Sequence, residues 1–195
     1  MLRFIKNNIK AFIERIKLQY KFYKSRSYLG KPYSVLNTQY VEVGHNVKIK
    51  KNSRIECFSM FGGKENNPRL IFEDGVIVGF NCTFFATQTL CIGHDTSFAG
   101  GCMVTTETHG INPISDLPYH AQPLTSAPVF IGNGCWIGQN VCILPGVKIG
   151  CKCIIGSNAV VNKDIPDYSI AVGVPAKVIK TYNFEKCKWE KSKLI

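Results

Sequence analysis

The chain has 195 residues, 45% of them hydrophobic, which is enough for the core of one domain with flanking segments. No apolar run approaches the length of a membrane span. The net charge of +11 would suit a nucleic-acid binder, but it sits at the ends: residues 1–31 carry nine Lys or Arg against Glu14 alone, a net of +8, residues 177–195 carry six against two, a net of +4, and the middle is left at −1, which argues against a nucleic-acid partner.

Residues 1–30 read as a basic amphipathic helix. Leu2, Ile5, Ile9, Phe12, Ile16 and Phe22 or Tyr23 recur at helical spacing, while Arg3, Lys6, Lys10, Lys17, Lys21 and Lys24 fall largely elsewhere on the wheel. Lys6, Lys10 and Glu14 interrupt the apolar stretch that a secretory signal needs. Two roles follow for the apolar face: packing on the rest of the protein or on a neighbouring subunit, or lying in an anionic membrane surface.

From residue 40 to 176 the chain keeps a six-residue beat of bulky side chains. Val43, Ile49 and Ile55 begin it, with Val47 and Ser53 four residues on at the small positions, before residues 58–68 interrupt. Phe72, Val78 and Phe84 resume it, with Val76 and Cys82 as small partners; a slip of two then resets the phase to Ile92, Phe98 and Val104, with Thr96, Cys102 and Thr108. After a second interruption over residues 110–128 it runs unbroken through Ile131, Ile137, Ile143, Ile149, Ile155 and Val161, partnered by Cys135, Val141, Val147, Cys153, Ala159 and Ile165. A period of six suits neither a helix nor one alternating strand. It suits an all-β coil of short parallel strands, each flat side carrying one inward aliphatic residue. Insertions leave such a coil as loops on its surface, where ligands are often held.

Nine cysteines raise the question of disulfides or metal. Cys82, Cys102, Cys135 and Cys153 fall on the small position of the beat, where cysteine acts as a small hydrophobe, and no Cys-x-x-Cys occurs. The odd total and the lack of a signal stretch point to a reducing, cytoplasmic setting, and no metal is expected.

Of four histidines, His109 in TTETHG (residues 105–110) stands where the coil gives way to the long insertion, so its side chain can reach a cleft and serve as a general base near neutral pH. Glu107, two residues before it, shares its side of an extended segment and is a candidate to orient it, although a solvent-facing glutamate is the simpler reading. His120 lies inside the insertion and is placed to line the same cleft. His45 and His94 read as surface residues at coil corners.

The run IGNGCWIGQNVCILPGVKIG at residues 131–150, continued by VVNKDIP at 160–166 and VGVPAK at 172–177, resembles the hexapeptide-repeat O-acetyltransferases, the maltose, galactoside and polysaccharide enzymes among them. The resemblance covers roughly residues 70 to 180. It implies a left-handed parallel β-helix, an exception to the usual right-handed crossover, assembled as a homotrimer with acetyl-CoA bound between adjacent coils. It also implies that His109 deprotonates the acceptor hydroxyl and that the main-chain N–H of Gln139 faces the tetrahedral oxyanion. By the same match Gln139 and Ser157 line the pantetheine channel, Trp136 packs beside it, Asn162 and Lys163 meet the nucleotide end, and Lys177 and Lys180 face phosphates, with a solvated C-terminal charge run over 177–195 as the plainer alternative. The match departs where it would name the sugar: Gly79 and Thr87 stand where maltose and galactoside enzymes place polar Asn and Asp to bind it, so the acceptor differs.

The expected activity is acetyl transfer to a sugar hydroxyl in capsule, O-antigen or exopolysaccharide synthesis, at the inner face of the membrane if the front helix binds lipid. Two other readings stand beside it: a small-molecule acetyltransferase acting on an antibiotic or on serine, and a β-helix scaffold without catalysis.

Overall fold

The computed structural model describes residues 2–192. One helix, α1 (Leu2–Lys24), leads into a coil whose strands visit three sheets in strict rotation. The first face stacks Tyr28–Leu29, Lys48–Ile49, Ile77–Val78, Ser97–Phe98, Trp136–Ile137, Ile154–Ile155 and Ser169–Val172. The second stacks Ser34–Leu36, Arg54–Cys57, Thr83–Ala86, Met103–Thr105, Cys142–Ile143 and Val160–Val161. The third stacks Val41–Val43, Arg69–Phe72, Thr89–Ile92, Val129–Ile131 and Lys148–Ile149, closed by a bridge from Ile149 to Ile165. All pairings within the coil are parallel, so strand backbone groups pair with the turn above or below.

The six-residue beat is the register of this coil. Ile49, Val78, Phe98, Ile137 and Ile155 lie directly over one another on the first face. Ile55, Phe84, Val104, Ile143 and Val161 do so on the second, and Val43, Phe72, Ile92, Ile131 and Ile149 on the third. Phe84 is fully buried and meets Phe72 and Phe98 edge to face, with ring centroids 5.2 and 5.6 Å apart, so one aromatic from each face fills the widest part of the core. Cys82, Cys102, Cys135 and Cys153 are buried free thiols at the small inward positions. Thr108 is not one of these partners: it is exposed, in a strand that has already left the coil.

The coil starts at Tyr28, ahead of residue 40. Leu29, Val35 and Val41 already keep the beat and are buried at its first turn, and α1 closes that end with Leu18 and Phe22 in the same core. At the other end, residues 177–191 are structured, with Lys177 and Lys180 exposed to solvent. Lys177–Asn183 and Lys188–Lys191 form an antiparallel hairpin that extends the first face, held by Tyr182 meeting Trp189 and Phe184 edge on.

Candidate active site

Both interruptions of the beat leave the coil at the same edge, between the second and third faces, two turns apart. The shorter folds into the hairpin of Met60–Phe61 with Lys64–Glu65. The longer opens as Glu107–Thr108 paired antiparallel with Thr125–Ser126, so it departs at Thr106, earlier than residue 110. Its outer part is tied by buried Gln122, whose Nε2 donates to the carbonyls of Asn112 and Leu117, both at 3.0 Å, and whose Oε1 accepts the Asn112 N–H. The insertions touch where Pro123 packs against Gly62.

Between them and the outer surface of the second face lies a cleft of about 400 Å³. Its floor is aromatic. Phe85 meets Phe58 edge on, with centroids 5.8 Å apart, and the Arg54 guanidinium lies 4.7 Å over the Phe85 ring. Arg54 also grips the buried Glu56 carboxylate at 3.1 Å, which cancels its charge within the floor. Phe61, Leu124 and Met103 complete the apolar wall.

His109 stands on the rim, exposed, its ring 5.4 Å from that of Phe61 and tilted by 58°. Among the described residues no protein group hydrogen-bonds its imidazole, so a ligand can reach either nitrogen. Glu107 is half-buried, which corrects the solvent-facing reading, and its carboxylate accepts from Thr106 Oγ1 at 3.3 Å instead of turning to His109. Burial, with the neighbouring Glu56 charge adding to it, holds the Glu107 carboxyl above the ordinary carboxylate range against the hydroxyl bonds that oppose the shift.

The remaining expected site residues fall elsewhere. Thr87 is fully buried beneath the cleft; its N–H donates to Thr106 Oγ1 at 2.8 Å, so its side chain supports the exit of the insertion and cannot touch an acceptor. His120 is exposed in the turn Tyr119–Ala121 on the outer part of the insertion, outside the cleft lining. Gly79 lies on the edge between the first and second faces, and a Cβ there would meet the Ala99 carbonyl carbon at 2.6 Å, so only its main chain is available.

Gln139 and Ser157 are exposed on that first–second edge, in successive turns, with the Gln139 N–H donating to Ser157 Oγ at 3.2 Å. Gly138 makes this approach possible, since a Cβ there would meet Ser157 N at 2.6 Å. Trp136 is 60% exposed on the first face, in register between Ser97 and Ile154. Asn162 and Lys163 are exposed at the lower second–third edge, and Lys177 and Lys180 are exposed on the terminal hairpin. Within one chain, His109 and the Gln139 group therefore occupy different edges, with the second face between them.

The three edges differ in charge. The corner turns of the first–second edge contain no carboxylate, and Lys31, Lys50 and Lys51 lie at its upper end. The third–first edge carries Glu73, Asp74 and Asp95 around an open depression of about 670 Å³ that repels a phosphate-bearing ligand. Of these two edges, the first–second is the one whose corner turns hold no carboxylate to repel a polyanion.

Arg54, Phe58, Phe61, Phe85, Met103 and Leu124 were not singled out from the sequence. The available signal was parity: Phe85 and Met103 are large apolar residues at outward positions, each one step from an inward member of the beat and beside an insertion.

Comparison with known proteins agrees with the fold. The family described as bacterial transferase hexapeptide (six repeats) matches residues 128–163. The chain is 32% identical over 177 residues to WbbJ of Escherichia coli strain K12, described as a candidate lipopolysaccharide biosynthesis O-acetyl transferase, covering 88% of this chain and 87% of that one. It is 30% identical over 167 residues to the galactoside O-acetyltransferase of the same organism, covering 85% and 76%. Among solved structures, AntD, an N-acyltransferase from Bacillus cereus, superimposes with a TM-score of 0.67 over 89% of this chain and 90% of that one at 18% identity, a likeness of fold.

Proposed function

We propose, from the premise that this chain belongs to the hexapeptide-repeat acetyltransferase family, that it transfers the acetyl group of acetyl-CoA to a sugar hydroxyl, with His109 as general base. The observation that carries this reading is the uncommitted His109 imidazole on the rim of an aromatic-floored cleft. Sugars present apolar C–H faces that stack on such a floor and a hydroxyl rim that needs polar partners at the edge. An alcohol is a weak nucleophile until its proton is taken, and the exposed His109 imidazole, without a hydrogen-bond partner among the described residues, is placed on that rim to take it. The acceptor oxygen bonds to the thioester carbonyl carbon as its proton passes to the imidazole. The carbon–sulfur bond then breaks, and the imidazolium returns the proton to the leaving sulfur, giving an acetyl ester and free CoA.

The acid-free first–second edge suits the phosphates of acetyl-CoA, and the exposed Gln139 and Ser157 suit its pantetheine arm, with Trp136 on the adjoining first face and Lys177 and Lys180 on the hairpin that extends it; Asn162 and Lys163, on the second–third edge, would meet the nucleotide from the neighbouring copy. Because His109 and this edge are separated within one chain, we read the working form as a trimer of left-handed coils. In it the cleft of one copy faces the Gln139 edge of the next. The likeness to WbbJ, described by its role in lipopolysaccharide biosynthesis, favours an acceptor in surface-polysaccharide assembly. The substitution His109→Ala tests the mechanism by release of free CoA thiol with an accepted sugar. Loss of a general base predicts a fall in kcat of about 10²- to 10⁴-fold with an unchanged KM for acetyl-CoA. Unchanged turnover would sink the assignment.

A further inference from the structure

We infer that the face of α1 turned away from the coil is a docking surface for an anionic lipid bilayer. The helix has two apolar faces. Leu18 and Phe22, at most 1% exposed, pack on the coil end together with the polar anchors Glu14 and Lys21. Diametrically opposite, at 3.6 residues per turn, Ile9, Phe12, Ile13, Ile16, Tyr20 and Tyr23 form a stripe about 100° wide that is 45 to 79% exposed. Docking to the coil therefore leaves the more hydrophobic side of the helix uncovered. An exposed stripe of this kind marks an interaction surface.

Charge selects the occupant. Lys10, Lys17 and Lys24 run along one border of the stripe, and Glu14, the only acidic residue of the helix, is on the docked face. A second copy laid antiparallel, stripe to stripe, would bring these lysine rows together with Glu14, already bonded to Lys17 and Thr38, as the one carboxylate of each helix. An anionic lipid surface neutralises them while the apolar residues enter the acyl boundary and the tyrosines sit at headgroup level. No described helix is long and apolar enough to cross a membrane, so α1 would lie in the surface plane. The coil cap fixes this orientation, since Gln19 Nε2 and Lys21 Nζ donate to coil carbonyls at 3.0 and 2.7 Å.

The inference uses only the helix and stands or falls apart from the acetyl-transfer reading. Its test is co-sedimentation of the full chain with vesicles of phosphatidylcholine alone or with one-third phosphatidylglycerol. Binding is expected to the mixed vesicles and to weaken with salt. The double variant Phe12→Glu, Ile16→Glu should lose at least thirtyfold in binding, while its melting temperature and its CoA release with a soluble acceptor stay unchanged. Lys10→Gln with Lys24→Gln, which leaves the Glu14 contact intact, should lose roughly twenty-fivefold, about fivefold for each lysine charge removed from the surface. Equal binding to neutral and mixed vesicles, or no binding at low salt, overturns the proposal. So does an assembly that the Phe12, Ile16 variant dissociates in the absence of lipid, because the stripe would then be an interface between copies.

Discussion

Replacing Glu14 with alanine should loosen α1 from the coil by an amount that the hydrogen bonds set. The carboxylate Oε2 accepts the Thr38 N–H at 2.7 Å and the Thr38 hydroxyl at 2.8 Å, and Oε1 faces Lys17 at 3.2 Å. Thr38 is fully buried, so alanine leaves its N–H without a partner. Bonds to a charged acceptor contribute about 1.5 to 3 kcal/mol each, and part of that is spent on burying the carboxylate; about 3 kcal/mol in all is a central figure. Amide exchange through local opening should accelerate by roughly a hundredfold at that cost. Exchange of residues 35–43 and of the α1 amides, followed by mass spectrometry at neutral pH, reads it directly. The pH dependence adds a second check. Burial pushes the Glu14 carboxyl up, but the bonds from Thr38 and Lys17 outweigh it and hold it below its ordinary value of 4.5. A depressed folded-state value means the stabilisation is present above about 4.5 and is lost as pH falls through the lowered value. The variant and the parent should therefore converge in acid. An exchange change under threefold, or a difference between variant and parent that does not narrow as the pH is taken down below 4.5, would refute the reasoning.

Glu107→Gln should stabilise the protein at neutral and alkaline pH. The parent carboxyl is held above its ordinary value by burial, so its charged form costs stability as pH rises through the folded value, and the gain from glutamine should vanish below about pH 4.5 in thermal melts. Phe84→Ala removes a fully buried ring from two edge contacts and should cost about 3 to 5 kcal/mol in denaturant unfolding; a loss under 1 kcal/mol would mean that the core is not packed as described.

The coil was legible because its physics repeats. An inward residue every sixth position is a direct print of register, and where the print broke the chain left the coil. The first turn was equally printed, in Leu29, Val35 and Val41, but a phase slip before Val43 hides its continuity with Ile49 and Ile55. Third-face strands cause such slips, because Leu70 with Phe72, and Leu90 with Ile92, put two residues inward on one longer strand. The C-terminal hairpin carries no such print. Its order comes from aromatic packing of Tyr182, Phe184 and Trp189, which lysines between them obscure in a reading by charge.

The helix shows a different limit. A hydrophobic wheel identifies the apolar stripe of α1, and the natural inference places that stripe against the protein. The structure docks the opposite side, where a carboxylate and an ammonium satisfy the open backbone groups at the coil end: Glu14 takes the Thr38 donor and Lys21 donates to the Thr38 and Val41 carbonyls at 2.7 Å. A coil end exposes unpaired strand edges, so its cap has to supply hydrogen bonds as well as apolar cover, and hydropathy alone does not score them. The cleft was hidden for a related reason. Phe58 and Leu124 are remote in sequence, one at the start of the first insertion and the other in the second. They line one cleft only because both insertions leave from one edge of a coil that holds their bases two turns apart. His109 was visible from its place at that exit, whereas the aromatic floor beneath it required knowing which strand faces pointed out at the same edge.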